Sequence, residues 1–567
     1  MFKLLDAPDQ AAPVAERHPW WQRGVVYQVY PRSFRDASGD GTGDLAGVLQ
    51  HLDYLSHSLG VDALWLSPFY PSPMADFGYD IADHTDVDRL FGDLATFDAL
   101  VDQAHARGLK VIVDYVPNHT SDHHPWFRAA RSSRDNPYRD WYVWADPKPD
   151  GSPPNNWLSV FGGSAWEWDA ATGQFYLHSF LKQQPDLNWR NPRVKAAMFD
   201  VLRFWLERGV DGVRIDAAHF ILKDPDLRDN PPNPHAGAGL HKPMGEYDAQ
   251  LHLYDKAHPE VHTVFRELRQ VLERYSTPGQ ERVAIGEIHV FDWAEWSRYY
   301  GEALDELHLP FNFGLLGVAW EADAVRRVVD GLEASLPEGA WPNYVLGNHD
   351  EPRVASRLGR QQARVAMLLL LTLRGTPTLY YGDELGMHDV AIPPTAVQDP
   401  WERRVPGRGL GRDPERTPMQ WDGGPNAGFC PPDVAPWLPV AADAERINVA
   451  AQRDDPRSFL TLTRALLALR RTRPALASGA YRALDGDGIP DDCFVYLRQA
   501  GAQRLLVALN FSAEERVLHL PAPARGSVLV STHLDRGGPA DLAALRLRPA
   551  EGCVLELDQT PTDLDAG

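Results

Sequence analysis

Acidic, histidine and arginine residues stand at the ends of several apolar runs of the sequence. In GVRIDAAHF, Val213 and Ile215 alternate with Arg214 and Asp216, so the two charged side chains would share one face of a strand. Three further runs end in DYVPNH, GEI and NHD. They supply Asp114, His119, Glu287, His349 and Asp350. Carboxylates crowded at one place shift one another's pKa values, as in sites for acid–base and nucleophilic chemistry.

Each of these residues alone has a structural explanation. An isolated Arg-x-Asp pair is usually a salt bridge at the edge of a core, and a strand-end acid often caps the next helix. Four strands that all end in such groups make this explanation poor for the set. We therefore expect one functional site built from strand ends.

The elements that would position these residues alternate between apolar strands and amphipathic helices. Helical faces are seen over 45–55 and over 459–469, before Pro474. The strand candidates are 25–30, 61–68, 110–116, 209–216, 282–288, 309–313, 344–350 and 377–384. Eight such alternations predict an α/β protein with a (β/α)8 TIM barrel, in which chemistry collects at the C-terminal strand ends.

Two regions break this alternation. The stretch from 120 to 187 is rich in Trp, Pro, Asp and Asn, which predicts a subdomain inserted after the third strand. After residue 477 the pattern changes to short β runs, which predicts a C-terminal all-β domain, a β-sandwich. The predicted domains are 1–119 and 188–476 for the barrel, 120–187 for the insertion and 477–567 for the C-terminal domain.

The amino-acid composition bears on which kinds of molecule the protein could bind. The net charge of -22 disfavours nucleic acid and anionic membranes, whereas a neutral substrate would not be repelled. Three widely spaced cysteines, Cys430, Cys493 and Cys553, argue against a disulfide framework or a cysteine-based zinc site. The N-terminal stretch 1–21 lacks a sustained apolar segment, so we expect no signal peptide or membrane anchor and a cytoplasmic protein.

Six motifs together resemble glycoside hydrolase family 13, the α-amylase superfamily, in its α-glucosidase and oligo-1,6-glucosidase branch. The resemblance runs from GVVYQVYPRSF to the β-rich end of the chain. The motifs are DYVPNH (114–119), QPDLN (184–188), GVRIDAAHF (212–220), GEI (286–288), NHD (348–350) and RTPMQWD (416–422). Their order and their positions on the predicted strands make the set specific, although any one alone is weak.

The resemblance implies a retaining mechanism that needs no organic cofactor. Asp216 would be the nucleophile, Glu287 the general acid/base and Asp350 a stabiliser of the transition state. Retention requires two carboxyl groups about 5–5.5 Å apart, one ionised and one protonated. Arg214, on the face it shares with Asp216, is expected to keep that carboxylate charged and oriented.

The resemblance also implies a subsite for one glucose. Tyr79 would stack on the sugar, and His119 and His349 would bind its hydroxyls. Asp80 and Arg412 would bind the far hydroxyls and block the site beyond one glucose, so that single units leave the non-reducing end. Arg416 is the alternative to Arg412. Seen alone, Tyr79 is as well explained by a core position, and Asp80 by a turn cap.

The residue after the nucleophile bears on linkage preference. In this branch a valine there accompanies α-1,6 activity, whereas a smaller residue or threonine accompanies α-1,4 activity. Ala217 therefore favours α-1,4 bonds. A few methyl groups discriminate by only about 1–3 kcal/mol, so we expect some activity on other linkages.

The segment DASGDGTGD (36–44) has oxygen ligands at alternate positions. They are Asp36, Ser38, Asp40, Thr42 through its carbonyl, and Asp44. Gly41 permits the sharp turn, whereas position 47 is Gly, so the later Glu of an EF-hand is missing. The segment resembles the calcium or magnesium loop of this branch and predicts a structural cation. A solvated acidic turn is the alternative.

The sequence favours an exo-acting α-glucosidase that takes maltose and short α-1,4-gluco-oligosaccharides and transfers glucosyl groups to sugars. A trehalose-synthase-like isomerase or another glucosyl transferase on the same fold is the second hypothesis. A non-catalytic scaffold, as in amino-acid-transporter heavy chains, is the third. We expect a monomer or small homo-oligomer, and a loop over 225–245, rich in Pro and Gly, that borders the acceptor side.

Overall fold

Nineteen strands and fifteen α-helices are defined in the part of the chain that the computed structural model describes, residues 18–236, 242–520 and 525–558. The strands are β1 Val26–Val29, β2 Ala63–Leu66, β3 Lys110–Tyr115, β4 Trp144–Ala145, β5 Trp166–Asp169, β6 Gln174–Leu177, β7 Gly212–Ile215, β8 Val283–Gly286, β9 Leu309–Asn312, β10 Asn343–Tyr344, β11 Thr378–Tyr380, β12 Ala480–Ala483, β13 Cys493–Ala500, β14 Gln503–Asn510, β15 Arg516–Leu518, β16 Arg525–Ser531, β17 Gly538–Asp541, β18 Leu545–Leu547 and β19 Gly552–Leu557.

The helices lie mainly between the barrel strands. They are α1 Trp20–Arg23, α2 Pro31–Phe34, α3 Leu45–Gln50, α4 Leu94–Ala106, α5 Pro125–Ser132, α6 Pro192–Glu207, α7 Val261–Arg274, α8 Trp293–Ser297, α9 Gly314–Gly317, α10 Ala322–Ser335, α11 Val354–Thr372, α12 Pro400–Arg404, α13 Val449–Arg453, α14 Phe459–Thr472 and α15 Pro474–Ser478. The predicted helical face over 45–55 is interrupted, because α3 ends at Gln50 and a π-helical turn covers Tyr54–Leu59.

Eight parallel strands form the barrel, in the order β10-β9-β8-β7-β3-β2-β1-β11. A parallel bridge between Val345 and Thr378 joins the two ends of this sheet. Each barrel strand overlaps its predicted range, so the predicted TIM barrel is confirmed. The carboxyl ends of all eight strands meet at one rim, where the predicted polar residues lie.

Two apolar clusters explain why these runs form barrel strands. Alternate residues point into the barrel, among them Val26, Trp65, Ile112, Ile285 and Phe311. The intervening residues pack against the helices in the main core, and both faces of each strand are therefore buried.

A small antiparallel sheet lies between β3 and β7. Its order is β4-β6-β5, and it packs an aromatic cluster that includes Trp157, Trp166 and Phe175. Its position is that of the predicted insertion. The boundaries at 119/120 and 187/188 stay predictions.

The C-terminal region is built of antiparallel strands. A six-stranded sheet has the order β12-β13-β14-β19-β16-β17, and β15 pairs with β18 in a second sheet. A separate apolar cluster between them includes Leu506, Leu518, Leu545 and Leu555. The predicted C-terminal all-β domain is confirmed, while its boundary at 476/477 stays a prediction.

The expectations about membrane segments, cysteines and the 225–245 loop can be compared with the described residues only. Among the described residues, no helix is long and apolar enough to cross a membrane. The three cysteines are buried and free. Most of the stretch 1–21 lies outside the described residues, as do residues 237–241 of the predicted loop and the chain after 558. The described parts of 225–245 contain neither α-helix nor strand.

Candidate active site

Arg214 is the hub of the carboxylate cluster. Its side chain points from β7 into the mouth of the barrel and is 2% exposed. Nη1 donates to Asp114 Oδ1 at 2.6 Å and to Asp216 Oδ1 at 2.8 Å, and Nη2 donates to Glu287 Oε2 at 2.7 Å. One guanidinium thus binds carboxylates from three neighbouring strand ends. The predicted pairing of Arg214 with Asp216 is present, but Arg214 does not serve Asp216 alone.

These contacts shift the pKa values of Asp216 and Glu287 in opposite directions. Burial and the nearby carboxylates of Glu287, Asp114 and Asp350 raise the pKa of Asp216 well above its usual range, against the pull of Arg214. Burial also raises the pKa of Glu287, but Arg214 and His289 outweigh it and hold that pKa low. Because both carboxyl groups bind the same guanidinium, they titrate as a coupled pair.

Asp350 is contacted by two arginines and one histidine. Its Oδ1 accepts from Arg416 Nη2 at 2.7 Å and from Arg412 Nη1 at 3.2 Å, and its Oδ2 is 3.1 Å from His349 Nε2. Burial opposes its charge, but His349, Arg412 and Arg416 hold the pKa of Asp350 well below its usual range. These contacts therefore favour the charged form of Asp350.

Arg412 and Arg416, which sequence reasoning treated as alternatives, both reach Asp350. Arg412 also donates to Asp76 Oδ1 at 2.7 Å and to Asp399 Oδ2 at 2.8 Å. Arg416 donates to the carbonyl of His349 at 2.6 Å. Arg412 therefore connects Asp350 to the carboxylates of Asp76 and Asp399, and its predicted role in closing the site stays a prediction.

Asp80 requires a correction, because the structure places it outside the cluster. Its carboxylate accepts from Ser72 Oγ, Ala75 N and Asp76 N, each at 2.9 Å, inside its own turn. Asp80 is the turn cap that the sequence left as the alternative. The carboxylate of this motif that contacts Arg412 is Asp76, four residues earlier, so Asp76 takes the position beside Arg412 that was predicted for Asp80.

Tyr79 and the two histidines form a connected wall. The Tyr79 hydroxyl lies 2.7 Å from His349 Nε2 and 3.2 Å from Asp114 Oδ2, and the Tyr79 and His349 rings are parallel, 5.3 Å apart. His119 Nε2 contacts the carbonyl of Tyr79 at 3.1 Å. Burial lowers the pKa of His119 to about 4 and that of His349 to about 3, so both are neutral at pH 7.

Ala217 has an unusual backbone conformation beside the predicted nucleophile. Its φ of 43° and ψ of 41° lie in the left-handed region, which is uncommon for a residue with a side chain. This turn directs its N–H to Glu287 Oε2 at 2.9 Å. A β-branched residue would be strained in that conformation.

A bridge from the loop after β7 reaches across the mouth of the site. Lys242 Nζ donates to the carbonyl of Asp350 at 2.9 Å and lies 5.0 Å from the centre of the Trp401 ring. Met244 packs in a cluster with Phe161, Leu181 and Trp401, from the insertion and from the loop after β11. Three separate segments thus meet beside Asp350, and the predicted position of the loop on the acceptor side stays a prediction.

The predicted metal loop contains suitable oxygen ligands, but its carboxylates accept hydrogen bonds from backbone amides of the same loop. Asp36 accepts from Gly39 N at 2.6 Å and Gly41 N at 2.8 Å, and Asp44 Oδ2 accepts from Ser38 N at 2.9 Å. The carboxylates of the loop are not among the described groups whose ligand atoms lie within 4.8 Å of one another. Hard oxygens suit Ca2+ or Mg2+, but a cation would have to displace these amide contacts.

In the described part of the chain, such a cluster of ligand atoms is formed by His533, Asp535 and Glu551 in the C-terminal region. Both carboxylates are paired with Arg548, at 2.6 Å and 2.7 Å. We therefore interpret the group as an ion-pair network.

Sequence reasoning missed three residues at the site. Asp76 stands in the same motif as Tyr79, so its signal was present but assigned to Asp80. His289 donates from Nε2 to Glu287 Oε1 at 2.9 Å and follows GEI without any periodic pattern. Gln28, which lies 2.7 Å from His349 Nδ1, looks like an ordinary residue of β1.

Comparison with known proteins agrees with this geometry. The alpha-amylase family, described as "Alpha amylase, catalytic domain", matches residues 28–479. A probable alpha-glucosidase of Rhizobium meliloti (strain 1021) is 41% identical over 91% of this chain and 94% of its own length. An oligo-1,6-glucosidase of Parageobacillus thermoglucosidasius is 37% identical over 95% of this chain and 99% of its own length.

A solved structure extends the comparison. The alpha-glucosyl transfer enzyme XgtA has a TM-score of 0.89 and 43% sequence identity, and the match covers 95% of this chain and 100% of that protein. Barrel, rim carboxylates and relatives together define a glycoside hydrolase. The chain belongs to the alpha-amylase family, glycoside hydrolase family 13, in the branch that contains the α-glucosidases and oligo-1,6-glucosidases.

Proposed function

We propose that the protein is a retaining, exo-acting α-glucosidase that releases glucose from the non-reducing end of maltose and short α-1,4-gluco-oligosaccharides. The observation that carries the proposal is the single guanidinium of Arg214 that holds both Asp216 and Glu287. Two carboxylates bound to neighbouring nitrogens of one group are compatible with the spacing of about 5–5.5 Å used for retention.

The reaction follows from this arrangement in two steps. Asp216 attacks the anomeric carbon and forms a glucosyl ester, while the bond to the leaving oxygen breaks and that oxygen takes the proton of Glu287. Glu287 then removes a proton from water or from a sugar hydroxyl, whose oxygen displaces Asp216. Asp350 and the neutral His349 contribute hydrogen bonds that strengthen as the oxocarbenium ion develops.

The first step requires the proton on Glu287 and the charge on Asp216. In the free site Glu287 accepts hydrogen bonds from Arg214 and His289, which favour its charged form. We infer that a bound substrate oxygen takes over part of the donor set of Glu287 and thereby raises the pKa of that carboxyl group. Binding and activation are then the same event.

The exo action rests on the far wall of the site. We assign the hydroxyls opposite the scissile bond to Asp76 and Arg412, whose ion pair of 2.7 Å is buried. Tyr79, His119 and His349 line the same space. Ala217, small and held by its amide, supports the preference for α-1,4 bonds.

Transfer to sugar acceptors is the second part of the proposal, and an isomerase-like reaction is the alternative to it. The likeness to an alpha-glucosyl transfer enzyme supports transfer, as does the bridge of Lys242 and Met244, which would restrict water on the acceptor side. The presence of Asp216, Glu287 and Asp350 in one cluster argues against a non-catalytic scaffold.

We further propose that the 36–44 loop binds a structural Ca2+ or Mg2+, on the strength of its oxygen donors, and that no catalytic step uses it. The free cysteines support a reducing compartment, the cytoplasm. A monomer or small homo-oligomer is the proposed state, which light scattering after size-exclusion chromatography would test.

A proton NMR time course with maltose tests the main proposal. We expect the α anomer of glucose to appear before mutarotation, together with new α-glucosidic signals from transfer. The matched control is Asp216→Asn, which should be inactive. Trehalose as the main product would favour the isomerase alternative, and an Asp216→Asn variant as active as the wild type would refute the site assignment.

A further inference from the structure

We propose that His289 is a positioning residue for Glu287, holding the carboxylate oxygen that exchanges the proton with the leaving group. This inference rests on the proposed function, in which Glu287 is the general acid/base. Its two carboxylate oxygens have different surroundings. Oε2 accepts from Arg214 Nη2 at 2.7 Å and from Ala217 N at 2.9 Å, whereas Oε1 accepts from His289 Nε2 at 2.9 Å.

This difference indicates which oxygen of Glu287 can transfer a proton to the leaving group. A carboxylate oxygen offers about two lone-pair directions, and Oε2 uses both for its two donors. Oε1 keeps one direction free, so it is the oxygen that can carry a proton to a glycosidic oxygen. Among the described residues, His289 supplies the hydrogen-bond donor recorded for Oε1.

The ring of His289 is itself held in place. It stacks on Phe313 with 4.4 Å between ring centres and 11° between planes, and the His219 ring lies 6.0 Å away. The side chain of His289 is 40% exposed, against 12% for Glu287. His289 is therefore more exposed than the acid it contacts, and its ring plane is fixed by packing.

Several charged and titratable groups face the Glu287–His289 pair. Arg214 and Asp216 come from β7 and its end, Asp350 from the loop after β10, and His219 from the turn after Asp216. The contacts of Arg214 and His289 both favour the charged carboxylate and lower the pKa of Glu287. Loss of His289 would therefore raise that pKa and also free Oε1 to turn away from the reacting bond.

Two substitutions separate the hydrogen bond from the packing. His289→Phe keeps a ring against Phe313 but has no donor, whereas His289→Gln keeps an N–H donor without the ring. His57→Phe, at a histidine whose side chain is 70% exposed, is the matched control and should behave as the wild type.

The first readout is the pH dependence of kcat/KM on maltose. For His289→Phe we expect the alkaline limb to move up by about one pH unit, the order of one hydrogen bond to a charged group. His289→Gln should keep the limb near its wild-type position. A limb that does not move in His289→Phe would overturn the proposal, as would a Gln variant that behaves like the Phe variant.

The second readout compares leaving groups. His289→Phe should lose roughly tenfold in kcat/KM on maltose, part of the ~10²–10⁴-fold that general acid catalysis contributes. It should lose less than twofold on 4-nitrophenyl α-glucoside, because nitrophenolate leaves without a proton. An equal loss on both substrates would mean structural damage and would reject the role.

Glu287→Gln separates this inference from the function on which it rests. If that variant hydrolyses maltose at the wild-type rate, Glu287 is not the acid and the proposed function fails. If it is inactive on maltose while His289→Phe is unchanged, the proposed function stands and only the role of His289 is rejected.

Discussion

The backbone N–H of Ala217 donates to Glu287 Oε2 at 2.9 Å. The residue that follows Asp216 at the end of β7 therefore binds the carboxylate at the end of the neighbouring strand β8. The left-handed conformation of Ala217 makes this contact possible. Asp216 and Glu287, the two carboxylates proposed as catalytic, are thereby connected through backbone as well as through Arg214. A substitution at either strand end would therefore also displace the carboxylate at the other.

Asp76 and Asp80 should give opposite results when each is changed to Asn. Asp76→Asn removes the charge that faces Arg412, so kcat/KM on maltose should fall by tenfold or more, while Asp399 still pairs with Arg412. Asp80→Asn replaces one acceptor oxygen by an NH2 group that faces a backbone N–H donor, and it should lower the free energy of unfolding by about 1–3 kcal/mol. Steady-state kinetics and urea unfolding measure the two effects. The reverse pattern would restore Asp80 as the substrate ligand.

Arg214→Lys should nearly abolish activity although charge is conserved. One ammonium group cannot contact Asp114, Asp216 and Glu287 in the planar arrangement that the guanidinium provides. We expect kcat to fall by about 10²–10³-fold, as for loss of one preorganised electrostatic contact. Circular dichroism provides the check that the barrel still forms. A loss below tenfold would show that charge alone suffices.

The acid limb of the pH profile should belong to the carboxylate pair and not to the histidines. Burial raises the pKa of Asp216, so activity is lost as the pH falls and the nucleophile gains a proton. His119 and His349 have pKa values of about 4 and about 3 and are already neutral above them. His119→Asn should therefore lower kcat/KM on maltose without moving the limb. A displaced limb in that variant would assign it to the histidine.

The bridge over the acceptor side should control the fate of the glucosyl group. Lys242→Met keeps the apolar stem near Trp401 but loses the donor to the Asp350 carbonyl. We expect the ratio of free glucose to transfer products from maltose to rise by roughly twofold or more, because water enters more readily. Leu253→Ala, an exposed residue of the same region, is the control and should leave the ratio unchanged. An unchanged ratio in Lys242→Met would remove the bridge from the proposal.

Cation removal should affect stability but not catalysis. Treatment with EDTA should lower the Tm, and Ca2+ or Mg2+ should restore it, because the donors of the 36–44 loop lie outside the carboxylate cluster. The variant Asp40→Asn should lose this response. A kcat that falls with EDTA at a temperature where the protein stays folded would contradict a purely structural role.

The barrel could be predicted from the sequence because its strands are buried on both faces and therefore apolar throughout. Strand ends then placed Asp216, Glu287 and Asp350 at one rim. Choosing between Asp76 and Asp80 required the turn that contains Gly78, whose φ of 107° no spacing rule reveals. The contact of His289 depends on the packing of its ring against Phe313, a residue distant in sequence.

In the proposed function the buried ion pair of Asp76 and Arg412 would close the site behind one sugar, so the rate would depend on the number of chain ends and not on the number of bonds. On a long α-glucan, glucose would accumulate while the viscosity of the solution hardly changed. At equal mass of glucan, doubling the chain length would halve the number of productive positions. Short oligosaccharides would thus be consumed faster than starch.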